Sequence, residues 1–153
     1  MKSNYLLTIF ILLITFNLNA QTKRITISEQ QIGSISSKYI KSINTETKDS
    51  LYLVYLGFQN EKYKTITDIK SISLSNKGEK DELVEDLKTA SIEVENKVEM
   101  NWNRNNYQIL LFDFTNQVYI YGNPKKGSGY TTLNKKETEK LIEWLESIDF
   151  GKG

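Results

Sequence analysis

The side chains able to do chemistry in this 153-residue chain are carboxylates, lysines, tyrosines and hydroxyls, because it contains no His and no Cys. That excludes Ser-His-Asp and Cys-His nucleophilic sites, imidazole acid–base catalysis, and zinc held through nitrogen or sulfur. Only Arg24 and Arg104 offer a guanidinium, so bidentate clamps on phosphate or carboxylate are scarce. One carboxylate, Asp113, interrupts the apolar run ILLFDF. A carboxyl group buried in an apolar strand can act as an acid, whereas one near a strand end accepts bonds from the turn that follows. No second carboxylate is an obvious partner for it, so a glycosidase-type pair is not expected, nor is any catalytic residue, metal site or cofactor.

The remaining candidates are suited to binding. The loop Gly122-Asn123-Pro124-Lys125-Lys126-Gly127-Ser128-Gly129 has the glycine spacing of a phosphate loop, but Ser128 stands where the lysine belongs and a strand, not a helix, should follow. It reads as a hairpin loop in which Lys125 and Lys126 could contact a partner. Tyr119 and Tyr121 share one face of a strand and Tyr130 begins the next, a surface fit to stack bases, sugars or a protein, although strand propensity and core filling also call for such residues. Trp144 lies at the edge of a helical apolar stripe, where a half-exposed indole could either touch a partner or cover a sheet rim. Trp102 and Arg104 flank a polar, Asn-rich hairpin tip, NWNRNN, which suits either a recognition loop or a plain turn.

The elements that position these residues are written twice. NKGEKDELVEDLKTA, Asn76 to Ala90, and NKKETEKLIEWLESI, Asn134 to Ile148, stand 58 positions apart. Each begins as a capping-box variant, with Asn76 and Glu79 or Asn134 and Glu137, and each carries one apolar helical stripe. At an offset of 56, YLGFQNEKY (Tyr55 to Tyr63) falls on LFDFTNQVY (Leu111 to Tyr119). Strands are expected at Ile25–Ile27 as a lead-in, with SEQQIGSISS as loop, then at Tyr39–Ile43, Leu51–Phe58, Lys62–Ile66 and Ile69–Leu74. After the first helix the alternation Ile92, Val94, Val98, Met100, Trp102 reads as a strand, with a continued helix as the alternative. Tyr107–Phe114, Val118–Tyr121 and Tyr130–Leu133 follow. The expected fold is α+β: two tandem ββββα repeats, about 39–90 and 93–148, each an antiparallel sheet packing one helix within a single domain, 21–153. Leu51–Phe58 and Tyr107–Phe114 are apolar on both faces, and a helix covers only one, so the other must meet the sister repeat, a second copy or a ligand.

This order of elements over residues 39 to 148 resembles that of the PUR-repeat and Whirly single-stranded nucleic-acid-binding domains. The resemblance implies a helix on one face of each four-stranded sheet and a core shared by the two repeats.

Residues 1 to 20 have the form of a signal peptide: Lys2, an eleven-residue apolar run from Leu6 to Phe16, too short to span a bilayer, and a cleavage site at Leu18-Asn19-Ala20. FNLNAQ resembles signal-peptide ends common in Bacteroidota. With no Cys there is no lipoprotein anchor, so a periplasmic or secreted product without a transmembrane segment is expected. Removing Lys2 leaves 19 basic against 19 acidic residues, and a neutral chain advertises no polyanion partner. The expected function is an exported, non-enzymatic binding module of inhibitor or immunity type, acting on a protein partner or as a homodimer. Single-stranded nucleic-acid or other polyanion binding, and a carboxylate-based hydrolase of envelope glycans, are the alternatives.

Overall fold

The computed structural model describes residues 22–63, 68–122 and 129–150. The expected leader at 1–20, the lysines Lys125 and Lys126, and the later part of the strand expected at Lys62–Ile66 lie outside the described residues. The fold is α+β, two antiparallel four-stranded sheets and two helices. The first sheet runs in chain order through β1 (Thr22–Ile32), β2 (Ile35–Asn44), β3 (Ser50–Gln59) and β4 (Ile69–Leu74), followed by α1 (Lys77–Glu93). The second runs through β5 (Met100–Asn103), β6 (Tyr107–Leu111), β7 (Val118–Gly122) and β8 (Gly129–Leu133), followed by α2 (Lys135–Glu146).

Several boundaries differ from those the sequence suggests. The lead-in segment is a full eleven-residue edge strand, β1, so the first set of strands begins at Thr22 and not near residue 39. SEQQIGSISS is no loop. Only Gly33 and Ser34 turn, with Gly33 at φ +54°, as a two-residue hairpin loop with glycine at its first position requires. Glu61–Tyr63 is a single 3-10 turn and not the start of a strand. The helix also runs on past Ala90 to Glu93, because Val94 continues the stripe of Leu83, Leu87 and Ala90 and is buried with it. Lys97, at φ +54°, turns the chain, and the strand starts only at Met100. The 56-residue offset does not match equivalent strands, since it lays β3, third in its sheet, on the end of β6, second in its own.

Period two sends Ile35 and Tyr39 of β2, Val54, Leu56 and Phe58 of β3, and Ile72 and Leu74 of β4 into the core. In the second sheet Tyr107, Ile109 and Leu111 point inward with Val118, Ile120, Thr131 and Leu133. The helices pack on each other, and each also touches both sheets: α1 lies against β4 and β6, α2 against β8 and β1. A helix confined to its own sheet is therefore not what forms, because the two stripes bury more apolar surface in a common core. Gly122 and Gly129 face each other where the β7–β8 hairpin crosses the first sheet; a Cβ on Gly122 would lie 3.0 Å from the Ser71 carbonyl oxygen, and one on Gly129 only 2.9 Å from Asn60 Cγ.

Candidate functional site

The inward and outward sets separate the sequence candidates. Trp144 is core: it is 6% exposed and its indole N–H donates to Ser28 Oγ at 3.2 Å, which fastens α2 to β1. Of the two uses open to it at the stripe edge, the indole takes the covering one, but buried and not half-exposed, because the other sheet's first strand lies over the edge of α2. Trp102 points inward from β5 and packs against the core, half-buried. Arg104 extends the same way, its Nε and Nη2 donating to the Asp86 carboxylate at 2.9 and 2.8 Å, with Glu82 3.3 Å from Nη1. The Tyr107 hydroxyl donates to the same carboxylate at 2.8 Å. Asp86 is buried, so this fork satisfies a carboxylate inside the fold. Asp113 stands exposed in the turn after β6, closed by the Thr115 N–H donating to the Phe112 carbonyl, and is not embedded in an apolar strand.

Tyr119, Tyr121 and Tyr130 do come together, on the outer face of the second sheet. The strand register arranges that face in two rows. One row is Asn103, Gln108, Tyr121 and Tyr130, and the other is Asn101, Leu110, Tyr119 and Thr132. None of the eight is charged. Just beyond β6, Phe112 and Phe114 extend the surface, and the rings then form a connected ladder: Phe114 stacks on Phe112 at 5.3 Å, Phe112 meets Tyr119 edge-on at 4.9 Å, and Tyr130 lies 5.6 Å from Tyr119 and 5.3 Å from Tyr121. Phe114 is 77% exposed, and the other four rings are half-buried. Burial first, and then the neighbouring phenols Tyr130 and Tyr119, raise the Tyr121 hydroxyl above the usual range, so it stays a proton donor. The Gln108 amide donates to Asn101 Oδ1 at 3.1 Å, which leaves its own carbonyl oxygen and the Asn101 amide for other partners.

One end of the face is held rigid. Glu61 accepts from the Thr132 N–H at 2.8 Å and from the Thr131 hydroxyl at 2.9 Å, and Asn60 Oδ1 accepts from the Tyr130 N–H at 3.3 Å. Asn60 in turn donates to Asp68 at 2.7 Å, and that bond, with Lys70, holds the Asp68 carboxyl below its usual range. The 3-10 turn from the first sheet is thereby latched along the edge of β8.

Phe112, Phe114 and Gln108 are candidates that the sequence does not single out, whereas Asn101 and Asn103 belong to the NWNRNN stretch already read as suiting a recognition loop. The signal was present in Leu110, Phe112 and Phe114, which share one face of YQILLFDF. It was ambiguous because an apolar run of that length reads as buried on both sides. A separate open groove of about 390 Å³ between the helices is lined by Ile92 and Ile142 and by lysines already committed to carboxylates, Lys88 to Glu146 at 2.9 Å and Lys135 to Glu95 at 2.7 Å. Among the described residues no helix is long and apolar enough to cross a membrane. Comparison with protein-family models, with curated proteins and with solved structures finds no match to this chain.

Proposed function

We propose that this protein is a non-enzymatic binding module whose contact surface is the outer face of the second sheet. The observation that carries this reading is the ladder of five rings on a face without a charged side chain in either row. Exposed aromatic surface in one contiguous patch is costly to leave in water and marks contact sites more often than chance exposure does. The leader-like residues 1 to 20 support export to the periplasm or beyond, where the partner would be met. The repeated order of four strands and a helix supports a duplicated ββββα unit of PUR-repeat or Whirly topology. A nucleic-acid role draws no support from the site, since such grooves combine stacking rings with cations and these two rows have none.

The test compares the wild-type protein with a Phe114→Ser, Tyr119→Ser variant, each immobilised and exposed to envelope and culture fractions of the source cell. Both substituted side chains point away from the core, so circular dichroism and the melting temperature should hardly change. The wild type should retain one dominant component that the variant releases. Equal retention by both proteins would overturn the assignment of the face.

A further inference from the structure

The chemistry of the two rows narrows what the face takes, and the narrowing rests on the binding role just described. Seven of the eight outward strand positions carry a hydroxyl or an amide, and only Leu110 carries neither. A protein partner with an apolar patch would desolvate all seven and, beyond the Gln108–Asn101 and Thr132–Glu61 bonds within the protein, leave the three phenols and Asn103 without a partner, at a cost for each. A polyanion needs cations to displace its counterions, and neither row offers one. A ligand that presents an apolar ring face and neutral hydroxyls at every repeat satisfies both halves of the surface: its C–H faces stack on Tyr119, Tyr121 and Tyr130, and its hydroxyls exchange hydrogen bonds with the phenols, Asn103 and the amide groups that the Gln108–Asn101 bond leaves over, while the Thr132 hydroxyl is held by Glu61 at 3.1 and 3.2 Å. Neighbouring rings lie 4.9 to 5.6 Å apart, tilted by 39° to 89°, so the platform is a continuous faceted patch and not a single pocket. Asn60 and Glu61 hold the backbone of β8 at Tyr130 and Thr132, so little conformational freedom is lost on binding.

We propose that the ligand of this face is an uncharged polysaccharide chain, gripped by the tyrosines of β7 and β8 and by the amides of β5 and β6.

The experiment is native affinity electrophoresis of the purified protein through gels containing hydroxyethylcellulose, soluble starch or laminarin. Mobility should fall in at least one gel, and the effect should survive high salt, because no ion pairs are involved. Tyr119→Ala and Tyr130→Ala should each weaken binding about tenfold, as loss of one stacked ring implies. Tyr130→Phe keeps the ring and should retain most of the affinity, and Ile92→Ser, in the helix groove, should change nothing. Unaltered mobility in all three gels, or retardation that persists in the Tyr119→Ala, Tyr130→Ala double variant, would overturn the proposal. If the polysaccharides fail while the Phe114→Ser, Tyr119→Ser variant still loses its captured component, the ligand class is wrong and the face remains the binding site. If that variant loses nothing either, both readings fall.

Discussion

Asp86 and Trp144 hold the same position in two matching helices, 58 residues apart, and both are buried. Trp144 fills space against β1, whereas Asp86 is tolerated only because Arg104 and Tyr107 supply three hydrogen bonds to it. Replacing Asp86 with Ala would leave the buried Tyr107 hydroxyl without its acceptor and the Arg104 guanidinium with Glu82 as its remaining carboxylate. Arg104 keeps 36% of its side chain in water, so the expected loss is about 2–3 kcal/mol, at or below the low end for a broken buried pair. Tyr107 gives the same cluster a pH signature. Burial, the bond to Asp86 and the charges of Asp86 and Glu82 raise its hydroxyl well above the ordinary tyrosine range in the folded state. In the unfolded chain it titrates near ~10. Below that pH both states hold the proton and the contribution is complete; above it the unfolded state ionises first and stability falls until the folded phenol also titrates. Urea midpoints measured from about pH 9 to 11 should therefore drop more steeply for the wild type than for Tyr107→Phe, which should itself cost about 1 kcal/mol at neutral pH. Parallel pH profiles for the two proteins would show that the buried phenol is not what alkali attacks.

At the scale of elements, the β7–β8 hairpin shows how close contact depends on the absence of a side chain. Gly122 and Gly129 are paired across the hairpin, and a Cβ on either would crowd the first sheet, tightly at Gly122 and with a clash at Gly129. Gly122→Ala must push against the Ser71 carbonyl, a backbone atom that cannot swing aside, and Gly129→Ala against Asn60 and the stem of Lys70. Each should destabilise by about 1–3 kcal/mol as an overpacked contact. The Gly129 change should also loosen the bond from the Tyr130 N–H to Asn60, seen as faster hydrogen exchange at Tyr130. Unchanged thermal midpoints in both variants would mean that the sheets meet less tightly there. The caps behave differently from each other in spite of the repeated motif. Asn134 and Glu137 complete a reciprocal capping box, but Glu79 reaches one residue further back, to the Ser75 N–H, while Asn76 still takes the Glu79 N–H. Both arrangements satisfy first-turn amides, which is the physical requirement behind the motif.

For the whole molecule, the consequence of helices shared between sheets is cooperativity. α1 reaches β6 through Asp86, α2 reaches β1 through Trp144, Lys80 donates to the Ile148 carbonyl at 3.1 Å, and Tyr39 donates to the Asp149 carbonyl at 3.0 Å. Splitting the chain in the turn near Lys97 would therefore expose the core face of both parts. A piece covering 22–97 should show no cooperative melting alone and should regain it when mixed with 98–153. A folded, independently melting 22–97 would show that the first sheet and α1 are self-sufficient.

Much of this was legible in the residues themselves: the α+β class, both helices with their Asn caps, most of the strands, and the want of His and Cys chemistry. These depend on contacts within a few positions of the chain, or on composition, and so need no knowledge of what lies opposite. Tertiary structure alone decided which face of each strand is covered, that Trp144 is core while Phe114 is exposed, that Arg104 is tied to a carboxylate 18 residues away, and that three tyrosines join two phenylalanines in one ladder. In a strand a slip of one residue exchanges the two faces, so where both faces are apolar the choice is made by register with distant strands and by where the helices find room to pack.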